Sequence, residues 1–344
     1  MLLSQKVGGA IWWARNLVAP KALILLYHRI ADTEIDPHDL CVSPRHFAEQ
    51  LAVLAQHYTP MSLQECLAAV DQGRLPRRAA VITFDDGYAD NLHAAKPLLE
   101  RHGFPATLFI TTGQINNPRE FWWDELEKVF LVPGTLPQHL DMEVNGLTNH
   151  WELDGATQHT EEQVRVRPTW RAVDGTLPTP RYELYRTVHK LLRGLPSGQR
   201  TAKMDALLKW SGASCEARPS YRALTAKELV ALAKTNLVDF GAHTVTHPHL
   251  PEQELAVQRE EIHGGKTALE QVIGRAVRSF SYPYGFYSDP TIELVRQAGY
   301  SSACTCIERA TRSESDLFQL PRFMVRDWDG DEFARRLHAC LRNG

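Results

Sequence analysis

Seven short apolar runs rich in β-formers govern what this 344-residue chain can become: 22–27, 80–84, 106–110, 237–242, 277–282, 300–306 and 322–327. Most are uninterrupted rather than alternating, the pattern of strands covered on both faces. Helical segments separate most of them. Two of these open with capping-box spacing, Ser62 with Glu65 and Thr225 with Glu228. Residues 91–103 read as a helix kinked at Pro97 and stopped at Gly103. Alternation of strand and helix calls for a parallel α/β architecture, either a barrel or an open sheet. The interval between residues 110 and 237 breaks the rhythm, being far longer than a normal crossover. Within it, 121–130 and 182–210 carry amphipathic helical patterns, and the polar stretch 144–170 fits a small hairpin or a loop. We expect one domain over 1–344, with 115–222 inserted into it as a mostly helical subdomain.

Composition removes several function classes. A hydrophobic share of 43% supplies ample core for one large domain, and a net charge of −3 offers no bulk basic field for nucleic acid. The six cysteines are scattered without a C-x-x-C pair, so neither a disulfide framework nor a cysteine zinc site is expected. A reducing compartment follows. Near the N-terminus, Lys6 and Arg15 interrupt the apolar residues, and no small-residue cleavage site follows a clean apolar block. Leu3, Val7, Ile11, Ala14 and Val18 repeat at helical spacing. An amphipathic helix packed on the domain is the first reading of them, and peripheral attachment to a membrane surface the second. The expected location is the cytoplasm, with the membrane periphery as its variant.

The stretch VITFDDG, 81–87, ends a buried strand with Asp85 and Asp86 side by side. Adjacent buried carboxylates repel and cost several kcal/mol unless a cation or hydrogen bonds offset them. A partner stands at HTVTH, 243–247. His243 and His247 are four apart, and one helical turn would place both imidazoles on one face. Two imidazoles and one carboxylate make a three-ligand site for a divalent metal, with positions left open for water and substrate. His249 ranks lower because Pro248 breaks any helical continuation. In a barrel, strand ends of this kind converge on one face.

These segments resemble the polysaccharide deacetylases of carbohydrate esterase family four. TFDDG at 83–87 is similar to that family's first motif, HTVTH at 243–247 to its second, and SYPYG at 281–285 to its third. The resemblance implies a distorted (β/α)7-type barrel and metal-dependent removal of an acetyl group from an N-acetylated sugar. It also implies one divalent ion, zinc by preference, held by Asp86, His243 and His247. Asp85 would then be the catalytic base, and the backbone N–H of Tyr284 would help hold the oxyanion.

Two departures from the family pattern stand out. Ser281 occupies the position where an arginine often orients the base; Arg322 is the first replacement, with Arg278 and Arg326 behind it. The usual C-terminal Leu-x-His has only His338 to offer, on what reads as a terminal helix, whereas His28 ends the first apolar run. This resembles a circularly permuted exopolysaccharide branch of the family, and implies that His28 is the general acid. Other readings are a non-catalytic carbohydrate-binding relative, a deformylase or other amide hydrolase acting on a sugar derivative, and a phosphoesterase. The absence of a secretion signal points to an intracellular acceptor: a nucleotide sugar, a lipid-linked intermediate or a glycoside destined for export. Phe121, Trp122, Trp123, Trp151 and Trp170 are available to stack on sugar faces or to pack between helices.

Overall fold

The computed structural model describes residues 20–165, 171–172 and 179–343. The amphipathic pattern over residues 3–18, and Trp170, lie outside them. All seven apolar runs become strands of one parallel sheet: β1 (Ala22–Tyr27), β2 (Ala79–Phe84), β3 (Ala106–Ile110), β4 (Val238–Ala242), β5 (Ser279–Ser281), β6 (Ser302–Cys304) and β7 (Phe323–Met324). Their spatial order is β6-β5-β4-β3-β2-β1-β7. The sheet curls until Cys304, on β6, meets Leu320, just before β7, in a single parallel bridge. The result is the expected α/β barrel, distorted and closed there by little more than that bridge. Among the described residues, no helix is long and apolar enough to cross a membrane.

Strand parity decides what lies on each side of this sheet. Leu23, Leu25 and Tyr27 of β1, Ile82 and Phe84 of β2, and Phe240 of β4 join one buried cluster with Phe47, Leu51 and Leu54 of the helix Pro44–His57. Each such side chain contributes roughly 1.5–3 kcal/mol by leaving water. The opposite parity, Ala22, Ile24, Val81 and Phe109, packs against Leu63, Cys66 and Leu67 of the helix Leu63–Asp71. That helix stoppers the barrel interior toward the strands' N-terminal ends. Further along β2 the same inward parity turns polar, at Thr83 and then Asp85. The interior is therefore apolar at one end and chemical at the other.

Both capping boxes form, at Ser62–Glu65 and Thr225–Glu228. The segment after β2 starts as a π-helical turn, Asn91–Ala95, and continues as the helix Lys96–His102, ending at Gly103 in the left-handed conformation. A wide turn ahead of Pro97 takes up the missing N–H that was expected to kink this helix. In the long interval, His139–Val144 and Leu147–Glu152 make an antiparallel hairpin that takes in the start of the polar middle, while residues 153–165 continue past it and 166–170 lie outside the described residues. Asn145 and Gly146 turn it with φ of 52° and 78°, as a two-residue type I′ turn requires. Leu140, Met142 and Val144 point inward and join the helices Trp122–Phe130, Pro180–Arg193 and Ser197–Ser211 in a second apolar cluster, separate from the barrel's.

Gly241, on β4, tests the packing of the interior. A Cβ there would stand 2.3 Å from the Phe109 ring and 2.9 Å from the Ser279 carbonyl oxygen. Gly241→Ala should destabilise the protein by roughly 1–3 kcal/mol, as overpacked cores do. Urea unfolding followed by circular dichroism reads this directly. An unchanged midpoint would mean that Phe109 does not fill the barrel as described.

Candidate active site

The C-terminal strand ends bring the chemistry together. Tyr27 and Phe84 are register partners, so His28 and Asp85 leave β1 and β2 side by side, and the Asp85 N–H donates to the Tyr27 carbonyl at 3.0 Å. Asp85 continues the inward parity of Val81 and Thr83. Asp86 has φ of 71°, which turns its carboxylate off that line. Adjacent residues thus face different partners. Arg322, fully buried, grips Asp85 with both arms, Nη1 to Oδ1 at 2.8 Å and Nη2 to Oδ2 at 2.7 Å. Its remaining donors reach the Thr305 carbonyl, the Thr83 hydroxyl and the Ser281 hydroxyl. Ser281, where an arginine was missed, donates to Asp85 Oδ2 at 3.0 Å. Burial raises the Asp85 carboxyl, but Arg322 and His243 outweigh it and hold the group well below the usual carboxylate range. Asp85 is ionised.

Asp86 has no such arginine partner among the described residues. Its buried Oδ1 makes no hydrogen bond and lies 3.6 Å from both His243 Nε2 and His247 Nε2. One ligand atom from each of the three residues lies within 4.8 Å of the others. Burial, then the Asp85 and Asp124 carboxylates, push Asp86 well above its ordinary value. The His243 Nδ1 lies 2.8 Å from the Ser281 carbonyl, so Nδ1 carries the proton and the Nε2 lone pair faces Asp86. An orphaned buried oxygen facing two imidazole nitrogens fits a divalent cation. These three residues would hold it.

The turn that carries the histidines is not helical, contrary to the spacing argument. Thr244 and His247 take left-handed φ of 65° and 54°, and the Thr244 hydroxyl accepts the His247 N–H at 3.0 Å. Glu261 binds the turn from outside, accepting the Val245 and Thr246 N–H groups at 2.8 Å each. The imidazoles therefore converge through a pinned loop. His249 stands outside the trio, its Nδ1 3.5 Å from Glu252 and its ring against Phe286.

His28, Asp85, Asp86, His243, His247 and Tyr284 line one cavity of about 420 Å³. Tyr284 is left-handed at φ 58°, with its ring 4.5 Å from that of His247. Gly285 follows at φ 74°, and a Cβ there would stand 2.6 Å from that of Cys306. Burial pulls the His28 imidazole down to about 3, with Asp85 opposing. His28 therefore rests neutral at neutral pH. His338 is exposed on the helix Gly330–Asn343, away from the cavity, and Arg278 is exposed. Arg326 lines the cavity but pairs with Asp39 at 3.2 Å, so Arg322 alone of the three arginines grips Asp85. Sequence reasoning missed Glu261, which acts on a turn fifteen positions away, and left the role of Trp123 open. Trp123 lines the cavity with its ring 4.8 Å from that of His247, and its Nε1 donates to the Tyr88 hydroxyl. Trp122 instead stacks on His189 at 4.8 Å.

The profile of the family described as polysaccharide deacetylase matches residues 72–164 and 209–303, more than half of the chain and both ligand motifs. The chain belongs to the polysaccharide deacetylase family. It is 30% identical over 331 residues to the poly-beta-1,6-N-acetyl-D-glucosamine N-deacetylase of Staphylococcus aureus strain MSSA476, covering 90% of this chain and 83% of that protein. It is 27% identical over 140 residues to YxkH of Bacillus subtilis, 40% of this chain, and there spans about half of the relative's length, 49%. The solved structure of the Streptococcus pyogenes deacetylase PplD in complex with acetate shares the fold, with a TM-score of 0.57 at 19% identity over 94% of this chain and 99% of that one.

Metal content tests the ligand assignment. Asp86→Ala removes the only anionic ligand of the trio, so elemental analysis should find bound metal reduced at least tenfold. Full occupancy in that variant would overturn the assignment.

Proposed function

We propose that this chain is a metal-dependent hydrolase that removes N-acetyl groups from sugars of a glycan or glycan precursor, in the making or modification of a polysaccharide. One observation carries the reading: an orphaned Asp86 faces His243 and His247 in the same cavity as an ionised, arginine-clamped Asp85. Three nitrogen and oxygen ligands with open positions suit zinc. A divalent ion there supplies Lewis acidity toward the acetamide and lowers the pKa of water from about 15.7 toward about 7.

The chain's own residues divide the remaining work. Asp85 is the general base: Arg322 and Ser281 fix its orientation, and being ionised it is ready to accept a proton. His28, beside it at the end of β1, serves the leaving nitrogen, because an amide anion must be protonated to depart. Since His28 rests neutral, the proton it gives to the leaving nitrogen is the one that Asp85 takes from water, passed on to His28 beside it within the same cycle. Tyr284 lines the same cavity, and its backbone N–H is the donor assigned to the developing oxyanion. The segment 115–222 selects the acceptor, reaching the site through Trp123 and through Arg186, His189, Lys190 and Arg193 of the helix Pro180–Arg193. A pseudoenzyme has no use for a costly carboxylate pair, and a two-metal phosphoesterase needs more ligands than this trio provides.

Two tests separate the roles. Asp85→Asn strands a buried guanidinium, so it should cost roughly 3–5 kcal/mol as well as activity, whereas Asp85→Asn with Arg322→Met should regain most of the stability. Acetate release from an N-acetylated oligosaccharide should stay at least a hundredfold down in both. Recovery of turnover in the double variant would remove Asp85 from the chemistry. For the acid, His28→Ala should lose two or more orders of magnitude in kcat while His338→Ala matches the parent. The reverse pattern would sink the assignment of His28.

A further inference from the structure

The turn that carries the histidines is held from two sides, and one of the holders does not come from the barrel. Glu261, on the helix Leu255–Ile273, accepts the Val245 and Thr246 N–H groups and the Thr246 hydroxyl. Arg200 comes from the long interval, on the helix Ser197–Ser211, and its Nη2 donates to the Thr246 carbonyl at 2.9 Å. Thr246 is thus gripped by an anion at its N–H and by a cation at its carbonyl. Arg200 is 3% exposed, burial pulls its pKa below the ordinary value, and its Nη1 has no hydrogen-bond partner. Such a group is costly to keep inside a protein. Anchoring the helix does not require it, because Met204, Leu207 and Leu208 already pack that helix into the second apolar cluster.

What Arg200 holds is the peptide that joins Thr246 to His247. The carbonyl edge of this peptide meets the guanidinium, and its N–H edge donates to the Thr244 hydroxyl at 3.0 Å. His247 leaves it at φ 54°, a left-handed conformation that costs free energy in any residue with a Cβ. Rotation of the peptide plane would relieve that cost by returning φ to negative values, and would exchange the carbonyl for the N–H. Arg200 opposes the exchange. A guanidinium has donors alone, so it would meet an N–H where it now meets an oxygen. Relaxation would also shift the point from which the imidazole departs, and metal ligation tolerates departures of only about 0.2 Å. Trp122 supports the guanidinium, whose Cζ lies 5.3 Å from the centre of the indole ring.

We propose that Arg200 is a positioning residue for the metal: by locking the peptide between Thr246 and His247, it keeps the His247 imidazole where it can take a divalent ion together with Asp86 and His243. This rests on the metal-dependent deacetylase reading of the site. The segment 115–222 then serves the metal centre as well as the acceptor.

The test loads the metal-free full chain with cobalt(II), whose visible absorption reports the arrangement of its ligands. Competition with a chelator reads affinity, and urea unfolding of the metal-free protein reads stability. Arg200→Met should bind cobalt at least tenfold more weakly, with a changed spectrum, as loss of an outer support to a metal ligand does. Its urea midpoint should stay near the parent's, because methionine removes the cost of a buried charge. Arg200→Gln, too short to reach the carbonyl, should lose affinity likewise, whereas Arg200→Lys keeps a cation and a donor and should regain most of it. Parent-like affinity and spectrum in both neutral variants would overturn the proposal, as would a loss that Arg200→Lys does not repair. Loss of the fold in both neutral variants, or lowered stability with an unchanged spectrum, would mark Arg200 as merely structural and overturn it too. Acetate release from an N-acetylglucosamine pentasaccharide is followed separately. Its absence in the metal-loaded parent would count against the deacetylase reading, and the cobalt comparison would still decide this one.

Discussion

The ion pair between Asp85 and Arg322 is the interaction on which the rest of the site depends. Burying two charges costs several kcal/mol per ion, and the cost is tolerable only when hydrogen bonds satisfy both groups. Here the guanidinium spends its donors on both Asp85 oxygens, two hydroxyls and a carbonyl, from residues at the ends of β2, β5 and β6. Arg322 stands immediately before β7, on the side where the sheet closes through little more than the bridge at Cys304 and Leu320. The pair therefore ties β2 across the interior to the region where the barrel is least closed. It also resolves the apparent conflict of adjacent carboxylates. One is neutralised by a cation of the protein, and the next is left for a cation from outside.

That division depends on backbone as well as charge. Four of the seven described non-glycine residues with positive φ stand at the cavity or in its ligand turn: Asp86, Thr244, His247 and Tyr284. Left-handed conformations cost of order 1–3 kcal/mol each and persist only where the surroundings over-determine them. The surroundings do so here. Glu261 holds the Val245 and Thr246 amides, Arg200 holds the Thr246 carbonyl at 2.9 Å, and the Ser281 carbonyl fixes the His243 ring. Ligands on a loop tied at so many points keep their places before any ion arrives, so metal binding does not have to bear the cost of ordering them.

What was legible in the sequence was local. All seven strands announced themselves because a strand covered on both faces must be apolar throughout, and the two capping boxes because their residues are three apart. The residue types of the candidate trio were legible for the same reason, since a carboxylate and two imidazoles are written in the side chains, and the fold does bring Asp86, His243 and His247 together. Geometry across the fold was not. Spacing of four suggested a helical turn at 243–247, yet a left-handed Thr244 and the distant Glu261 make it a loop. Ser281 looked like a lost arginine, although its hydroxyl and Arg322 together occupy the place where that arginine would act. The low affinity of His28 for a proton was invisible too, because burial at a convergence of strand ends is a property of the assembled barrel.

The helix Pro180–Arg193 shows how the long interval enters the chemistry. Tyr182, Tyr185, Val188 and Leu192 bind it into the second apolar cluster, while Arg186, Lys190 and Arg193 point into the cavity. Tyr185 links the two roles, because its hydroxyl meets His38, whose ring packs on His189 at the cavity wall. Trp123 makes a similar link, tied through Tyr88 to the buried Asp124 and presenting its ring to His247. The second apolar cluster is thus the frame that sets the charge and shape facing Asp86, His243 and His247. Change in its core moves the wall, whereas change on the cationic face leaves the frame standing. The cavity face of this helix can therefore vary while Asp85, Asp86 and the histidines stay fixed on the barrel.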